Sequence, residues 1–130
     1  MAKELQVMVV GALGKMGRET VKAVKMSDNL VLAGAVDVKA GNAKVSEITG
    51  DENDSLPIWH DLEEALDAVR VDVVVDFTNP QAVYNNARSV LRHGTPCVVG
   101  TTGLTEREIG ELEKLALENG TGIAIIPNFA

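Results

Sequence analysis

The stretch that decides the fold runs from Val7-Met8-Val9-Val10 into Gly11-Ala12-Leu13-Gly14-Lys15-Met16-Gly17. A short apolar run followed by glycines spaced three apart is typical of a buried strand that turns sharply into a helix. The helix is expected to span Lys15 to Met26, because apolar residues recur there at three- and four-residue spacing. The segment therefore predicts a strand, a glycine loop and a helix in direct succession.

Similar apolar runs rich in β-branched residues recur along the chain, each followed by a turn signal and a segment with helical periodicity. They predict strands at Leu5–Val10, Val31–Asp37, Val71–Phe77, Pro96–Gly100 and Ile123–Ile126. Continuous apolar runs are typical of parallel strands covered by helices on both faces. The 130 residues therefore predict the α/β class, as one Rossmann-type, doubly wound domain with a mostly parallel sheet.

Capping residues mark where further helices begin. Three sites carry such signals: Asp61 with Glu64, Thr105 with Glu108, and Asn79 as an N-cap before Pro80 in the first helical position. The polar segment 38–55 is expected to be a surface loop with room for one helical turn.

Composition excludes several classes of function. With 19 acidic and 12 basic residues the net charge is -7, which opposes binding to nucleic acid or to anionic membrane surfaces. No apolar run reaches the roughly 20 residues of a membrane span, and the first one is too short for a signal peptide. The one cysteine, Cys97, lies in an apolar run and is expected to be a packed, inert thiol. We therefore expect a cytoplasmic protein.

The glycine loop predicts a phosphate site, since it directs the N–H groups of a helix N-terminus at an anion. By itself the loop is equally consistent with a tight turn, because Leu13 stands where the common pattern has its second glycine. Asp37 ends the second strand 20 residues after Gly17, where a carboxylate can accept hydrogen bonds from an adenosine ribose; the alternative is a cap to a turn. Lys39 could meet a 2′-phosphate. Together these features predict NADH or NADPH binding.

Two further polar clusters end the later strands, residues 76–80 and Gly100-Thr101-Thr102-Gly103. The carboxyl ends of parallel strands share one edge, so these residues could line the nicotinamide and its ribose; the alternative is turn and cap chemistry. In the last segment, Ile126-Pro127-Asn128-Phe129, Asn128 could bind a carboxamide with Phe129 packed nearby.

Neither histidine is interpreted as catalytic or as a metal ligand. His60 precedes a predicted helix, and His93 lies in the last turn of another, where a cation complements the helix dipole. Lys15 and Arg18 flank the glycine loop and could touch a phosphate or belong to a solvated helix face.

The strings at residues 9–18, 76–78, 100–103 and 127–130 together resemble dihydrodipicolinate reductase, also named 4-hydroxy-tetrahydrodipicolinate reductase. That family uses NADH or NADPH to reduce a cyclic intermediate of the diaminopimelate route to lysine. The resemblance implies cofactor contacts at the following residues: Gly11, Ala12, Leu13, Gly14, Lys15, Met16, Asp37, Gly100, Thr101, Thr102, Ile126, Pro127, Asn128 and Phe129. Many members of the family carry a glycine where this chain has Leu13, and some carry an arginine where it has Val38.

The resemblance further implies that the pocket for the cyclic dicarboxylate substrate and a tetramer-forming sheet belong to a second domain, following residue 130. The chain alone is then expected to be a monomer that binds cofactor without turnover. Two alternatives stay open: a stand-alone module that senses NAD(H), and the cofactor domain of another two-domain dehydrogenase acting on homoserine or aspartate.

Overall fold

The computed structural model describes residues 4–126, which form one six-stranded sheet with helices on both faces. The strands are β1 (Leu5–Val10), β2 (Leu30–Val36), β3 (Ile58–Trp59), β4 (Val73–Asp76), β5 (Cys97–Val99) and β6 (Ile123–Ile125). The helices are α1 (Lys15–Met26), α2 (Ser46–Thr49), α3 (Leu62–Ala68), α4 (Val83–Arg92) and α5 (Glu106–Glu118). None of these helices combines the length and apolar composition that crossing a membrane requires.

The strand order is β3-β2-β1-β4-β5-β6, and every neighbouring pair is parallel. The first strands extend the sheet from β1 through β2 to β3, and the later strands extend it from the other side of β1 through β4 and β5 to β6. The switch between the two directions opens a crevice at the carboxyl ends of β1 and β4, where ligands bind in such sheets. The predicted doubly wound α/β fold is confirmed.

The core lies in two layers, one on each face of the sheet. Along β1, Met8 and Val10 pack into the layer beneath α3, α4 and α5, whereas Val7 and Val9 pack into the layer beneath α1 and α2. All four side chains are buried, which is why the strand reads as a continuous apolar run.

The strand ends differ slightly from the sequence prediction. β1 and α1 have the predicted bounds, but β2 begins at Leu30 and the other predicted strands are one to three residues shorter. The residues that follow four of the strands, Asp37, Phe77, Gly100 and Ile126, each donate one last N–H to a neighbouring strand and then leave the sheet. β3 was missed, because two residues carry no period and are held by pairing with β2.

Two of the three capping predictions are confirmed, and one is wrong. Thr105 and Glu108 form the complete capping box of α5, and the Asp61 carboxylate accepts the Glu64 N–H at 3.0 Å. The prediction that Asn79 caps a helix beginning at Pro80 is wrong, because α4 begins at Val83. The Asn79 side chain instead accepts the N–H groups of the two residues after Pro80 and closes a turn ahead of the helix.

Candidate functional site

The glycine loop between β1 and α1 is held in a shape that two of its glycines make possible. Gly11 has a φ of 84°, and a Cβ there would lie 2.8 Å from the carbonyl of Phe77. A Cβ on Gly17 would lie 1.9 Å from the carbonyl oxygen of Gly11. By contrast, a Cβ on Gly14 would meet that same oxygen at 3.4 Å. Gly11 and Gly17 are therefore required by contact, and Gly14 is not.

The loop leads into the amino end of α1, which no side chain among residues 4–126 caps. The first intrahelical bond runs from the Arg18 N–H to the Gly14 carbonyl at 2.9 Å. The N–H groups of Lys15, Met16 and Gly17 therefore lack intrahelical partners, as at any helix start. The first turn carries no acidic residue, so the positive end of the helix dipole is free to attract an anion.

Asp37 fixes the loop from the neighbouring strand. Its Oδ2 accepts the N–H of Leu13 and its Oδ1 accepts the N–H of Lys39, both at 2.9 Å. The turn-capping alternative for Asp37 is thus realised, but the half-buried carboxylate still has acceptor capacity, because an ionised carboxylate offers about four lone-pair sites.

A cleft of about 480 Å³ opens beside Asp37 and the glycine loop. Eight residues predicted from the sequence line it: Gly11, Leu13, Gly14, Asp37, Lys39, Phe77, Thr78 and Asn79. The opposite walls come from the segment around α3 and from α4.

The α4 wall was not predicted, although the sequence carries a signal for it. Ala82, Asn85, Asn86 and Ser89 line the cleft and are small or amide residues at three- and four-residue spacing. His60 also lines the cleft, a position that its interpretation as a structural residue did not anticipate.

The end of β4 supplies a buried polar network behind the cleft. The Asp76 Oδ1 accepts both the N–H of Thr78 at 2.8 Å and its hydroxyl at 2.5 Å, and the Asn86 amide donates to that hydroxyl at 3.4 Å. Asp76 is 1% exposed, and its Oδ2 has no partner among residues 4–126. Burial raises the pKa of this carboxyl, and the hydrogen bonds from Thr78 oppose the rise. Thr78 lines the cleft, whereas Asp76 lies behind Thr78 and holds it by these hydrogen bonds.

The predicted residues at the end of β5 lie at the same edge but outside the cleft lining. A Cβ on Gly100 would lie 2.1 Å from the Phe77 ring, and Phe77 also lines the cleft, so this ring separates the cleft from Gly100. Thr101, Thr102 and Ile126 likewise do not line the cleft. The predicted residues Pro127, Asn128 and Phe129 lie outside the described residues.

Other predicted residues around the loop have different placements. Ala12 is fully buried and its N–H donates to the Val36 carbonyl at 3.1 Å, so it does not line the cleft. The side chains of Lys15 and Met16 are exposed on α1. Arg18 donates from Nε to the Leu13 carbonyl at 2.9 Å and so braces the loop.

Cys97 is 1% exposed, and burial raises the pKa of its thiol to about 12. The expectation that Cys97 is packed is confirmed, and its lack of reactivity remains a prediction that burial supports, since nucleophilic attack requires the thiolate. His93 stands just after the last residue of α4, close to the predicted place.

Comparison with known proteins identifies the family. Residues 5–129 match the family model described as dihydrodipicolinate reductase, N-terminus. The chain belongs to this family. The 4-hydroxy-tetrahydrodipicolinate reductase of Syntrophomonas wolfei is 55% identical over 130 residues, which are all of this chain and 49% of that protein.

The structural comparison agrees with the family assignment. Dipicolinate-bound dihydrodipicolinate reductase from Paenisporosarcina sp. TG-14 matches with a TM-score of 0.80 and 30% identity, over 98% of this chain and 48% of that one. Homoserine dehydrogenase from S. aureus matches with a TM-score of 0.79 at 19% identity, over 98% of this chain and 34% of that one, which shows the shared fold alone. The chain spans about half the length of the dihydrodipicolinate reductases that it matches.

Proposed function

We propose that the chain binds NADH or NADPH in the cleft at the carboxyl ends of β2, β1 and β4, as the cofactor domain of a dihydrodipicolinate reductase. The observation that carries the proposal is the loop from Gly11 to Gly17, which Asp37 anchors and which leaves the amino end of α1 open. Such an end binds a pyrophosphate through backbone N–H groups and the helix dipole. Bound there, the dinucleotide supplies a hydride at its nicotinamide ring.

The loop residues bind the cofactor's pyrophosphate mainly through their backbone. Lys15, Met16 and Gly17 present N–H groups to it, and the lack of a side chain at Gly17 lets α1 pack closely against the Gly11 carbonyl, which keeps the loop in this shape. The exposed Lys15 side chain adds a positive charge beside the phosphates.

Asp37 and its neighbours bind the adenosine end. The Asp37 carboxylate accepts from a ribose hydroxyl while it holds Leu13 and Lys39, and the exposed Lys39 side chain faces a 2′-phosphate when NADPH is bound. Val38 is 85% exposed in the cleft lining and offers an apolar surface to the adenine.

The far end of the cleft receives the nicotinamide half. Phe77 and Thr78 line the cleft there, with the Thr78 hydroxyl oriented by Asp76 and Asn86. We propose that Gly100, Thr101 and Thr102 join them beyond the Phe77 ring. Cofactor contacts at Ile126, Pro127, Asn128 and Phe129 remain a prediction from the family resemblance. This arrangement requires the Phe77 ring to move aside or to form part of the nicotinamide pocket.

For the whole protein we propose reduction of a cyclic dicarboxylate on the diaminopimelate route to lysine. The family match and the dipicolinate bound by the Paenisporosarcina enzyme support this substrate class. The remaining half of the protein is expected to bind the substrate and to form a tetramer. The cytoplasmic location, the monomeric state of this chain and its lack of turnover remain predictions.

The test is titration of the 130-residue chain with NADH and NADPH by calorimetry and by thermal melting. A ligand at about 100 times its dissociation constant stabilises the folded state by about 2.7 kcal/mol, which raises the melting temperature. Millimolar concentrations of both cofactors that produce neither heat nor a shift would contradict the proposal. Steady oxidation of NADPH by this chain with the pathway substrate would contradict the assignment of catalysis to the remaining half.

A further inference from the structure

A cluster of three side chains, Glu63, Asp67 and His93, joins α3 to the end of α4. Glu63 and Asp67 are four residues apart and lie on one face of α3. The Nε2 of His93 lies 3.2 Å from Asp67 Oδ1 and 3.6 Å from Glu63 Oε2. The ligand atoms of all three residues lie within 4.8 Å of one another.

The imidazole of His93 is held in one orientation. Its Nδ1 lies 2.8 Å from the carbonyl oxygen of Ser89, which can only accept, so Nδ1 carries a hydrogen and donates it. The ring therefore turns Nε2 toward the two carboxylates. A histidine that binds a metal commonly donates its other ring N–H to a backbone carbonyl in this way.

The charges around Nε2 favour a cation. Among residues 4–126, Glu63 and Asp67 form no ion pair with a lysine or arginine, and His93 is their cationic partner. His93 also stands at the carboxyl end of α4, where the helix dipole is negative. A neutral imidazole would direct a lone pair at two negative groups, so the arrangement requires either a proton on Nε2 or a metal ion.

The distances suit a small tetrahedral ion. With bonds of about 2.0–2.2 Å to nitrogen and oxygen, neighbouring ligands around Zn²⁺ lie about 3.3–3.6 Å apart. The measured separations from Nε2, 3.2 and 3.6 Å, are close to that range. Glu63 and Asp67 are exposed, so a carboxylate can rotate to close the third separation and water can occupy the fourth position.

We propose that Glu63, Asp67 and His93 form a binding site for a divalent cation of the Zn²⁺ class. The ion would link α3 to α4, and both helices contribute residues to the walls of the cleft. Glu63 also lines the cleft, as does Ser89, which orients His93. The proposal rests on the three side chains alone, and the zinc titration is made without a dinucleotide.

The test is calorimetric titration of the 130-residue chain with Zn²⁺ at pH 8, where protons compete less for imidazole. One Zn²⁺ is expected to bind per chain. Each of His93→Ala, Glu63→Gln and Asp67→Asn is expected to weaken binding about tenfold or more. Two matched controls, Glu64→Gln on the same helix and His60→Asn as the other imidazole, should keep the affinity within about a factor of two.

Thermal melting without metal checks that each variant is folded, and added Zn²⁺ should raise the melting temperature of the unmodified chain but not that of His93→Ala. No zinc binding, equal affinity in His93→Ala, or loss of binding in His60→Asn instead would each overturn the proposal. If one variant proves unfolded, the other two ligand substitutions still decide the outcome, because each removes a different ligand.

Discussion

The ends of β2 and β4 carry the same local motif and use it differently. Each strand is followed or closed by an aspartate whose Oδ1 accepts the N–H two residues further on, from Lys39 to Asp37 at 2.9 Å and from Thr78 to Asp76 at 2.8 Å. The second oxygens differ. The Oδ2 of Asp37 accepts the N–H of Leu13, whereas that of Asp76 is buried without a partner among residues 4–126.

The difference follows from the position of each strand in the sheet. β4 lies between β1 and β5, and Asp76 on it is covered by the core layer beneath α3, α4 and α5. Asp37 follows β2, where the cleft and the glycine loop leave it half-exposed. The same turn chemistry therefore yields a carboxylate that can face a ligand at one strand and a buried group that positions a threonine at the other.

The largest effect is expected from Gly17→Ala, because Asp37 and the amino end of α1 can face a ligand together only if the glycine loop keeps its shape. The new Cβ would lie 1.9 Å from the Gly11 carbonyl oxygen, so the helix or the loop must move. We expect a loss of about 1–3 kcal/mol of unfolding free energy, as for an overpacked core, and loss of measurable cofactor binding. Urea unfolding and calorimetry measure the two effects.

Gly14→Ala is the matched control for Gly17→Ala. Its Cβ would lie 3.4 Å from the same oxygen and its φ is -74°, so the loss of stability should be much smaller than that in Gly17→Ala. The comparison is made on stability alone, because Gly14 also lines the cleft. Equal damage from the two substitutions would contradict the steric role assigned to Gly17.

The next effect is expected from Asp37→Ala, which leaves the N–H groups of Leu13 and Lys39 without their acceptor. Each lost hydrogen bond to a charged group is worth about 1.5–3 kcal/mol at most, and less where water can replace it. NADH affinity should fall about tenfold, while NADPH is spared because a repulsion with its 2′-phosphate is also removed.

Asp72→Ala is the control for Asp37→Ala, since the Asp72 carboxylate accepts the Gln6 N–H at the opposite end of the sheet. It should lower stability without changing either cofactor affinity. A drop in NADH affinity in both variants would show that the effect of Asp37 is merely structural.

Asp76→Asn tests the buried carboxyl at the end of β4 through the pH dependence of stability. The pKa of Asp76 is raised above its ordinary value of 3.8 in the folded state, chiefly by burial. The folded state therefore holds a proton that the unfolded state releases, and the stability of the unmodified chain should fall as pH rises from 3.8 through the raised value. The amide that replaces the carboxyl in the variant does not titrate in this range.

Urea unfolding of the unmodified chain and of Asp76→Asn between about pH 4 and about pH 8 measures this difference. The unmodified chain should lose stability relative to the variant as pH rises and then level off. A relative gain would mean that the ionised form of Asp76 is the favoured one in the fold.

The smallest effect is expected from Lys39→Ala, which tests the exposed side of the Asp37 turn. Exposed charge pairs are worth about 1 kcal/mol or less, so NADPH affinity should fall no more than about tenfold while NADH affinity is unchanged. Lys44→Ala removes another exposed lysine as a control. An equal loss for both cofactors would show that Lys39 does not contact the 2′-phosphate.

The sequence predicted the parts of the molecule that local pattern determines. β1 and α1 were predicted to the residue, because both faces of β1 are buried and α1 has a regular apolar stripe. β3 was missed because its two residues are held by tertiary pairing alone. Asn79 before Pro80 has the same residue pattern as a helix cap but forms a turn, since the helix starts three residues later than Pro80.

At the candidate site, too, the sequence predicted what local spacing determines and missed what tertiary packing determines. The glycine loop and Asp37 were predicted because their spacing along the chain reflects one strand–helix–strand unit. The α4 wall had a periodic signal of small and amide residues, but nothing in that signal says which segment it faces. The positions of His60 and of the Phe77 ring against Gly100 depend on how separate segments pack, which a single sequence does not encode in any short spacing.

The most direct test of the central claim is amide NMR of the 130-residue chain during titration with NADH. If the dinucleotide binds as proposed, the largest shifts should fall on the N–H groups of Leu13 to Gly17 and of Asp37 to Lys39, with α5 unaffected. Binding that leaves the Lys15, Met16 and Gly17 amides unchanged, with shifts elsewhere on the surface, would contradict the account.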